Sequence, residues 1–380
     1  MDFAWSPEQD ELFDAIERFA SAELNTDLIA RDRAGVFNRD GWKRCAELGI
    51  QGLPVPAEFG GLGQDPLTTV GALERLGYGC RDNGLVFSLN AQMWTVAMPL
   101  VAFGTDEQQR RFLPGLCGGS LIGASAMTEP ASGSDAYALE TTAVKRGDRY
   151  VLNGSKAFVT NGPIADLFVV FATLDRTKGA PAITAFLLER SCPGLQAGKR
   201  VETMGLRTSP MGELFLEDCQ VEETLRLGAE GAGVSLFTHA MAWERGCILA
   251  GAVGGMRRLL ESSLRYAKER TQFGRAIGEF QLVGSKLVDM KLRLETARGL
   301  LYQAAYQRSQ GRVGLLETAL AKLYISECWV QSCQDALQIH GGYGYMVEYE
   351  VERELRDALA SRLHSGTNEM QRNIIAGLLR

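Results

Sequence analysis

Two changes of hydrophobic period divide the 380-residue chain and most constrain what it can fold into. Up to about Ser120 the pattern is helical. Ser6-Pro7-Glu8-Gln9 reads as a helix start, with Ser6 as cap, Pro7 in the first turn and Gln9 completing a capping box; Leu12, Ile16 and Phe19 follow at helical spacing. Gly52-Leu53-Pro54-Val55-Pro56 and Glu58-Phe59-Gly60-Gly61-Leu62-Gly63 interrupt it as turns. From about Leu121 to Leu227 the texture changes to short β-rich runs such as Phe168-Val169-Val170-Phe171, Ile183 to Leu188 and Leu214-Phe215-Leu216. Asn153-Gly154, between two such runs, predicts a hairpin turn. Beyond Gly231 the helical period returns, with long segments around 232–268, 281–309, 313–338 and 367–379, and the stripe Leu287, Met290, Leu294, Leu301 suits a bundle helix. The expectation is a mainly α chain with a β domain: an N-terminal helical domain over 1–120, a middle β domain over 121–229 and a C-terminal four-helix bundle over 230–380. No repeat or low-complexity linker separates them, so the lobes should pack together.

At 46% hydrophobic residues the chain can bury a substantial core, and a net charge of −6 argues against nucleic acid as a partner. Eight cysteines lie scattered without CxxC pairing, which suits a reducing cytoplasm. The three histidines, His239, His340 and His364, lack the spacing of a zinc pair, so no metal is expected. Met1-Asp2-Phe3-Ala4-Trp5 lacks a basic start followed by an apolar run, and no segment is expected to reach the roughly 20 apolar residues of a membrane span. A soluble protein is expected. Gly61-Leu62-Gly63 and Gly342-Tyr343-Gly344 do not complete GxGxxG, and Gly194 to Lys199 lacks P-loop spacing, which disfavours an ordinary nicotinamide enzyme.

Glu244 stands out on residues alone. Phe237, Met241, Ile248 and Gly251 recur at steps of three or four, and Glu244 falls on the same stripe, pointing a carboxylate at the apolar side of a helix. Desolvation raises the pKa of such a group and suits it to accept a proton. The competing reading is that Glu244 pairs with Arg245 or another buried cation. The same helix is expected to carry Gly251, Gly254 and Gly255, either for close helix packing or for a ligand's approach.

Five segments carry a resemblance: Met127-Thr128-Glu129-Pro130-Ala131-Ser132-Gly133-Ser134-Asp135, Gly154 to Gly162, Arg270-Thr271-Gln272-Phe273-Gly274, Gln338-Ile339-His340-Gly341-Gly342-Tyr343-Gly344 and Ser365-Gly366-Thr367-Asn368-Glu369-Met370-Gln371. In this order, spread over most of the chain, they resemble the acyl-CoA dehydrogenase family. The resemblance implies noncovalent FAD between the β domain and the C-terminal bundle. Met127, Thr128, Gly133 and Ser134 would line the flavin and phosphate side, with Phe158 and Thr160 beside the isoalloxazine. Arg270, Gln272 and Phe273 resemble residues that reach the FAD of a neighbouring subunit, and Gln338, Gly341 and Gly342 resemble the loop around its adenosine half. Thr367 and Glu369 of the last motif join the cofactor set. A homotetramer, or at least a homodimer, follows.

One departure matters. Many members place the catalytic base just before Gly-Thr in the last motif, where this chain has Ser365. A minority, the isovaleryl-type enzymes among them, carry it on the helix before an arginine, which Trp243-Glu244-Arg245 resembles. Glu244 is then the expected base, and Ser134, Arg245, Ser365 and Gly366 the expected substrate contacts, with the Ser365 N–H polarising a thioester carbonyl. The implied reaction is α,β-dehydrogenation: Glu244 takes the α-proton and flavin N5 the β-hydride, with reoxidation by a separate acceptor or oxygen. Pro163-Ile164-Ala165-Asp166, Trp243-Glu244-Arg245 and Ser365-Gly366-Thr367 resemble the branch that oxidises prolyl thioesters on carrier proteins. An ordinary dehydrogenase of short or branched acyl-CoA and a same-fold flavin oxidase or monooxygenase are the alternatives.

Overall fold

The computed structural model describes residues 4–380. The chain opens with helices α1 (Pro7–Glu23), α2 (Leu28–Ala34), α3 (Arg39–Glu47), α4 (Pro66–Gly79), α5 (Asn83–Gln92), α6 (Met98–Phe103) and α7 (Asp106–Cys117). The capping box forms as expected: Gln9 N donates to Ser6 Oγ at 3.3 Å and Ser6 N to Gln9 Oε1 at 2.9 Å. It aims Phe13, Ile16 and Ala20 into the core. A π-helical turn, Met93–Ala97, joins α5 to α6. Contrary to the sequence expectation, this 21-residue run is long and apolar enough to cross a membrane, but 78% of its apolar window is buried inside the protein. It is a core helix, apolar all round because other elements cover every face.

Strands β1 (Gly123–Ala126), β2 (Thr142–Arg146), β3 (Arg149–Thr160), β4 (Leu167–Thr173), β5 (Ile183–Glu189), β6 (Leu195–Arg200), β7 (Met211–Glu222) and β8 (Arg226–Leu227) form one sheet. Its order is β6-β7-β3-β2-β4-β5-β8, with β1 parallel to β4. Asn153-Gly154 is not the predicted turn. It lies within β3, and the hairpin reverses instead at Gly147-Asp148, between the paired Arg146 and Arg149. Strands β2 and β7 pair with β3 on both sides, and the Asn-Gly pair becomes a bulge against β7, where Asp218 N donates to Asn153 Oδ1 at 2.8 Å. Ladder bonds from two neighbours outweigh a local turn preference.

The remainder comprises α8 (Gly233–Cys247), α9 (Ala250–Glu269), the short hairpin β9 (Thr271–Gln272) and β10 (Arg275–Ala276), then α10 (Gln281–Ser309), α11 (Leu315–His340), α12 (Val351–Ala360) and α13 (Asn368–Leu378). Helices α8 to α11 pack as a bundle, with α4 laid against α9 and α10 and α1 against α4. The single helix expected over 232–268 is broken at Ile248-Leu249, so Gly251, Gly254 and Gly255 belong to α9, not to the helix of Glu244. Gly251 and Gly254 serve close packing, whereas Gly255 has room for a side chain: a Cβ on Gly254 would lie 2.0 Å from the Glu74 carbonyl oxygen of α4, and one on Gly77 would lie 2.1 Å from that of Gly251. Helix α12 buries Val351 and Ala358 together with charged residues, Arg353, Glu354 and Asp357, on its inner face. Glu354 accepts from Arg258 at 2.7 Å and Asn83 at 3.1 Å, and Asp357 accepts from the Leu206 N–H at 2.6 Å.

Candidate active site

Glu244 sits on α8, 7% exposed, where α8 meets α11 and the loop between α12 and α13. Its Oε1 accepts from the Ser365 hydroxyl at 3.0 Å. The neighbouring cation turns elsewhere: Arg245 donates its Nε–H to the Ser365 carbonyl at 3.0 Å. The buried Lys322 of α11 donates to Asn368 Oδ1 at 2.8 Å. Burial pushes the Glu244 carboxyl up to about 7, against the opposing pull of Ser365, Arg245 and Lys322. Such a group can both take and release a proton near neutral pH.

The last sequence motif closes over this carboxylate. Ser365 and Gly366 both have positive φ, +58° and +82°, and Gln371 Nε2 donates to both carbonyls, at 3.1 and 2.9 Å. A Cβ on Gly366 would lie 3.4 Å from Arg245 Nη2, which places Glu244, Arg245, Ser365 and Gly366 together. Among the described residues the Ser365 N–H makes no hydrogen bond, leaving a donor beside the carboxylate. Thr367 follows as the N-cap of α13, accepting from Met370 N, and Glu369 is exposed on its first turn.

The β-domain candidates are brought together by one backbone bond, from Ala157 N to Thr128 O at 2.9 Å. Met127 is a core residue, only 6% exposed, so its side chain does not reach the surface. Gly133 and Ser134 lie on an exposed loop, Thr160 is half-buried, and Phe158 is 66% exposed at φ +55°. Two residues of the same motifs, not singled out from sequence, pin them. Lys156 is fully buried, and its Nζ donates to Glu129 at 2.7 Å and to the Met127 carbonyl at 3.3 Å. Glu129 also accepts from the N–H groups of Glu140 and Thr141, at 2.6 and 3.0 Å. Burial raises its carboxyl, but Lys156 and these donors outweigh that and hold it below the ordinary range. A lysine unaccounted for inside an apolar strand motif was the available signal.

The third group stands apart. Arg270, Gln272, Gly341 and Gly342 line a cavity of about 460 Å³ with Tyr266, His340 and Tyr343, and none of the β-domain candidates lines it. Gln338 is exposed one turn earlier on α11, and Phe273, at the tip of the β9–β10 hairpin, is 94% exposed. Gly341 and Gly342 have open space around the position of a Cβ, and Arg270 forms no ion pair among the described residues, facing the Tyr343 ring at 5.7 Å. An uncovered aromatic, a cation without a carboxylate and an open glycine turn fit an anionic, planar ligand.

Residues 6–120, 124–219 and 231–379 match the N-terminal, middle and C-terminal domains of acyl-CoA dehydrogenase. The chain belongs to the acyl-CoA dehydrogenase family. Among relatives, the L-prolyl-[peptidyl-carrier protein] dehydrogenase of Serratia sp. (strain ATCC 39006) is 42% identical, over 99% of this chain and 97% of its own. Among solved structures, the prolyl acyl carrier protein oxidase AnaB superposes with a TM-score of 0.98 at 53% identity, covering 99% of this chain and 100% of that one. PigA, solved with FAD and proline, gives 0.97 at 41% identity over 100% and 99%. Within this acyl-CoA dehydrogenase, Glu129, Lys156, Lys322, His364 and Gln371 are the site neighbours that sequence reasoning did not single out.

Proposed function

We propose that this enzyme dehydrogenates a prolyl thioester carried on a carrier protein, with Glu244 as the α-proton acceptor. The observation that carries the reading is a buried carboxylate pushed up to about 7, beside a backbone N–H without a partner among the described residues. A carboxylate at its ordinary value would be a weaker base, and one paired tightly with a cation would be weaker still. The relatives named for prolyl carrier proteins support the substrate class.

FAD is the cofactor, and when bound it supplies the hydride acceptor for the β-carbon. Thr128, Phe158 and Thr160 would hold it on the β-domain side, with the Glu129–Lys156 pair beneath them. Arg270, Gln272, Phe273, Gln338, Gly341 and Gly342 form a separate set, which supports a homo-oligomer, a tetramer in our reading, in which one protomer completes its neighbour's cofactor site. Glu244 receives the α-proton, while the Ser365 N–H donates to the thioester oxygen as negative charge develops there. Arg245 fixes the loop that presents that N–H. The working units are an N-terminal helical domain (1–120), a middle β domain (121–229) and a C-terminal bundle (230–380), in a cytoplasmic protein whose eight cysteines are all free. Reoxidation falls to a separate acceptor or to oxygen.

The test is anaerobic flavin bleaching by matched prolyl-carrier protein, prolyl-CoA and isovaleryl-CoA, with wild type and Glu244→Gln. Rapid bleaching by the carrier-bound prolyl group, lost in the variant, is expected. Bleaching by isovaleryl-CoA alone would move the assignment to short or branched acyl-CoA. An oxygen atom in the product under air would indicate a monooxygenase. Reoxidation rates with and without oxygen then identify the acceptor.

A further inference from the structure

Position 365 departs from many members of the family in its side chain, and the geometry there runs in one direction. The Ser365 hydroxyl lies 3.0 Å from Glu244 Oε1 and 2.9 Å from His364 Nδ1. A hydroxyl has one proton to donate. When that proton points at the Glu244 carboxylate, the His364 contact is a hydrogen bond only if Nδ1 carries a proton and donates to Ser365. Burial, with Lys322 nearby, keeps the imidazole neutral by lowering it to about 3, and the Phe87 ring packs against it at 4.8 Å. We infer that His364 and Ser365 form a one-way hydrogen-bond chain, Nδ1–H to Oγ–H to Oε1, that positions Glu244 as an oriented carboxylate. The inference rests on reading Glu244 as the base.

The backbone supports it. Ser365 holds φ +58°, where a side chain is disfavoured and glycine is at ease. Arg245 and Gln371 grip its carbonyl at 3.0 and 3.1 Å, so the loop does not need the hydroxyl to keep its shape. What serine adds over glycine here is the Oγ between His364 and Glu244. With Oε1 engaged, Oε2 is left to meet the α-proton. Because Nδ1 already holds a proton, a proton captured by Glu244 does not pass through Ser365 to His364. The chain is a positioning device, not a relay. The other charges facing Glu244 are Arg245 from its own helix and Lys322 from α11. Both remain when the hydroxyl is removed, which isolates its contribution.

Ser365→Gly removes the hydroxyl while relieving the backbone. His364→Phe keeps the ring contact but removes the donor, and His364→Asn can return an N–H near the lost Nδ1. Two readouts are taken on FAD-loaded protein: a pH-difference infrared titration of the carboxyl band that Glu244→Gln abolishes, and the pH profile of single-turnover flavin reduction by prolyl-carrier protein. Ser365→Gly should raise both midpoints by about one pH unit, since a carboxylate loses a donor. His364→Phe should move them the same way by less, and His364→Asn should bring them back toward wild type, with KM little altered. A Ser365→Gly enzyme slowed equally at every pH, with its infrared midpoint unmoved, would overturn the chain. An active Glu244→Gln enzyme would defeat the base assignment instead, and the infrared titration would still judge the hydrogen bonds.

Discussion

Glu244 and Lys156 are both buried charged groups, and they behave differently because of what surrounds them. Glu244 faces one hydroxyl and no bonded cation, so burial wins and its carboxyl rises to about 7. In unfolded chain it would release its proton near 4.5. Between those values the folded state keeps a proton that the unfolded state has lost, so stability falls as pH rises through this window and levels off above it. Glu244→Gln should therefore gain on wild type as pH rises from about 4 to 8, by up to about 3 kcal/mol, measured by urea unfolding across pH. The rate of flavin reduction should move oppositely, rising with pH through about 7 in wild type. Lys156, by contrast, has a carboxylate at 2.7 Å. Lys156→Met leaves Glu129 buried with only its N–H donors and should cost about 3 kcal/mol, read from the urea midpoint, together with weaker FAD retention. Glu244 was legible because it interrupts an apolar stripe; the partners of Lys156 were not, because they come from residues 27 and 29 positions away.

At the level of elements, local signals succeeded where one element's own backbone decides the outcome. The Ser6–Gln9 capping box is such a case, since all its donors and acceptors lie within four residues. They failed where neighbours decide. Asn153-Gly154 has the chemistry of a turn, but β2 and β7 pair on either side of it. The periodic run over 232–268 looks continuous, yet it breaks at Ile248-Leu249 before α9 packs against α4. That packing is close enough to test. Gly254→Ala places a methyl 2.0 Å from a backbone oxygen that has no rotamer to yield, so α4 and α9 must separate. A loss of about 3 kcal/mol is expected by chemical denaturation. Gly255→Ala, whose Cβ would meet only side-chain atoms at 3.6 Å or beyond, should be nearly neutral and is the control.

Taken as a whole, the molecule leaves large apolar side chains uncovered on α10 and at the tip of the β9–β10 hairpin. Leu282, Val288 and Leu292 on α10 are 83%, 66% and 60% exposed, and Phe273 projects beside them in sequence. Such a set is unfavourable in water unless another surface covers it. Light scattering should find a tetramer, and FAD should be lost on dilution to the protomer. If Arg270 meets the cofactor's phosphates as proposed, Arg270→Glu should weaken FAD binding roughly tenfold to a hundredfold by fluorescence titration, because attraction becomes repulsion. The unfolding temperature of the cofactor-free protein should stay put, since Arg270 is exposed. The sequence by itself determined the succession of helix, sheet and bundle, because hydrophobic period is a property of neighbouring residues. It also marked Glu244, because a carboxylate on an apolar stripe is conspicuous without coordinates. Only the tertiary structure decided what Glu244 touches and how far burial raises it. Those depend on contacts between residues as far apart as 244 and 365, where chain connectivity imposes no distance and packing alone sets it.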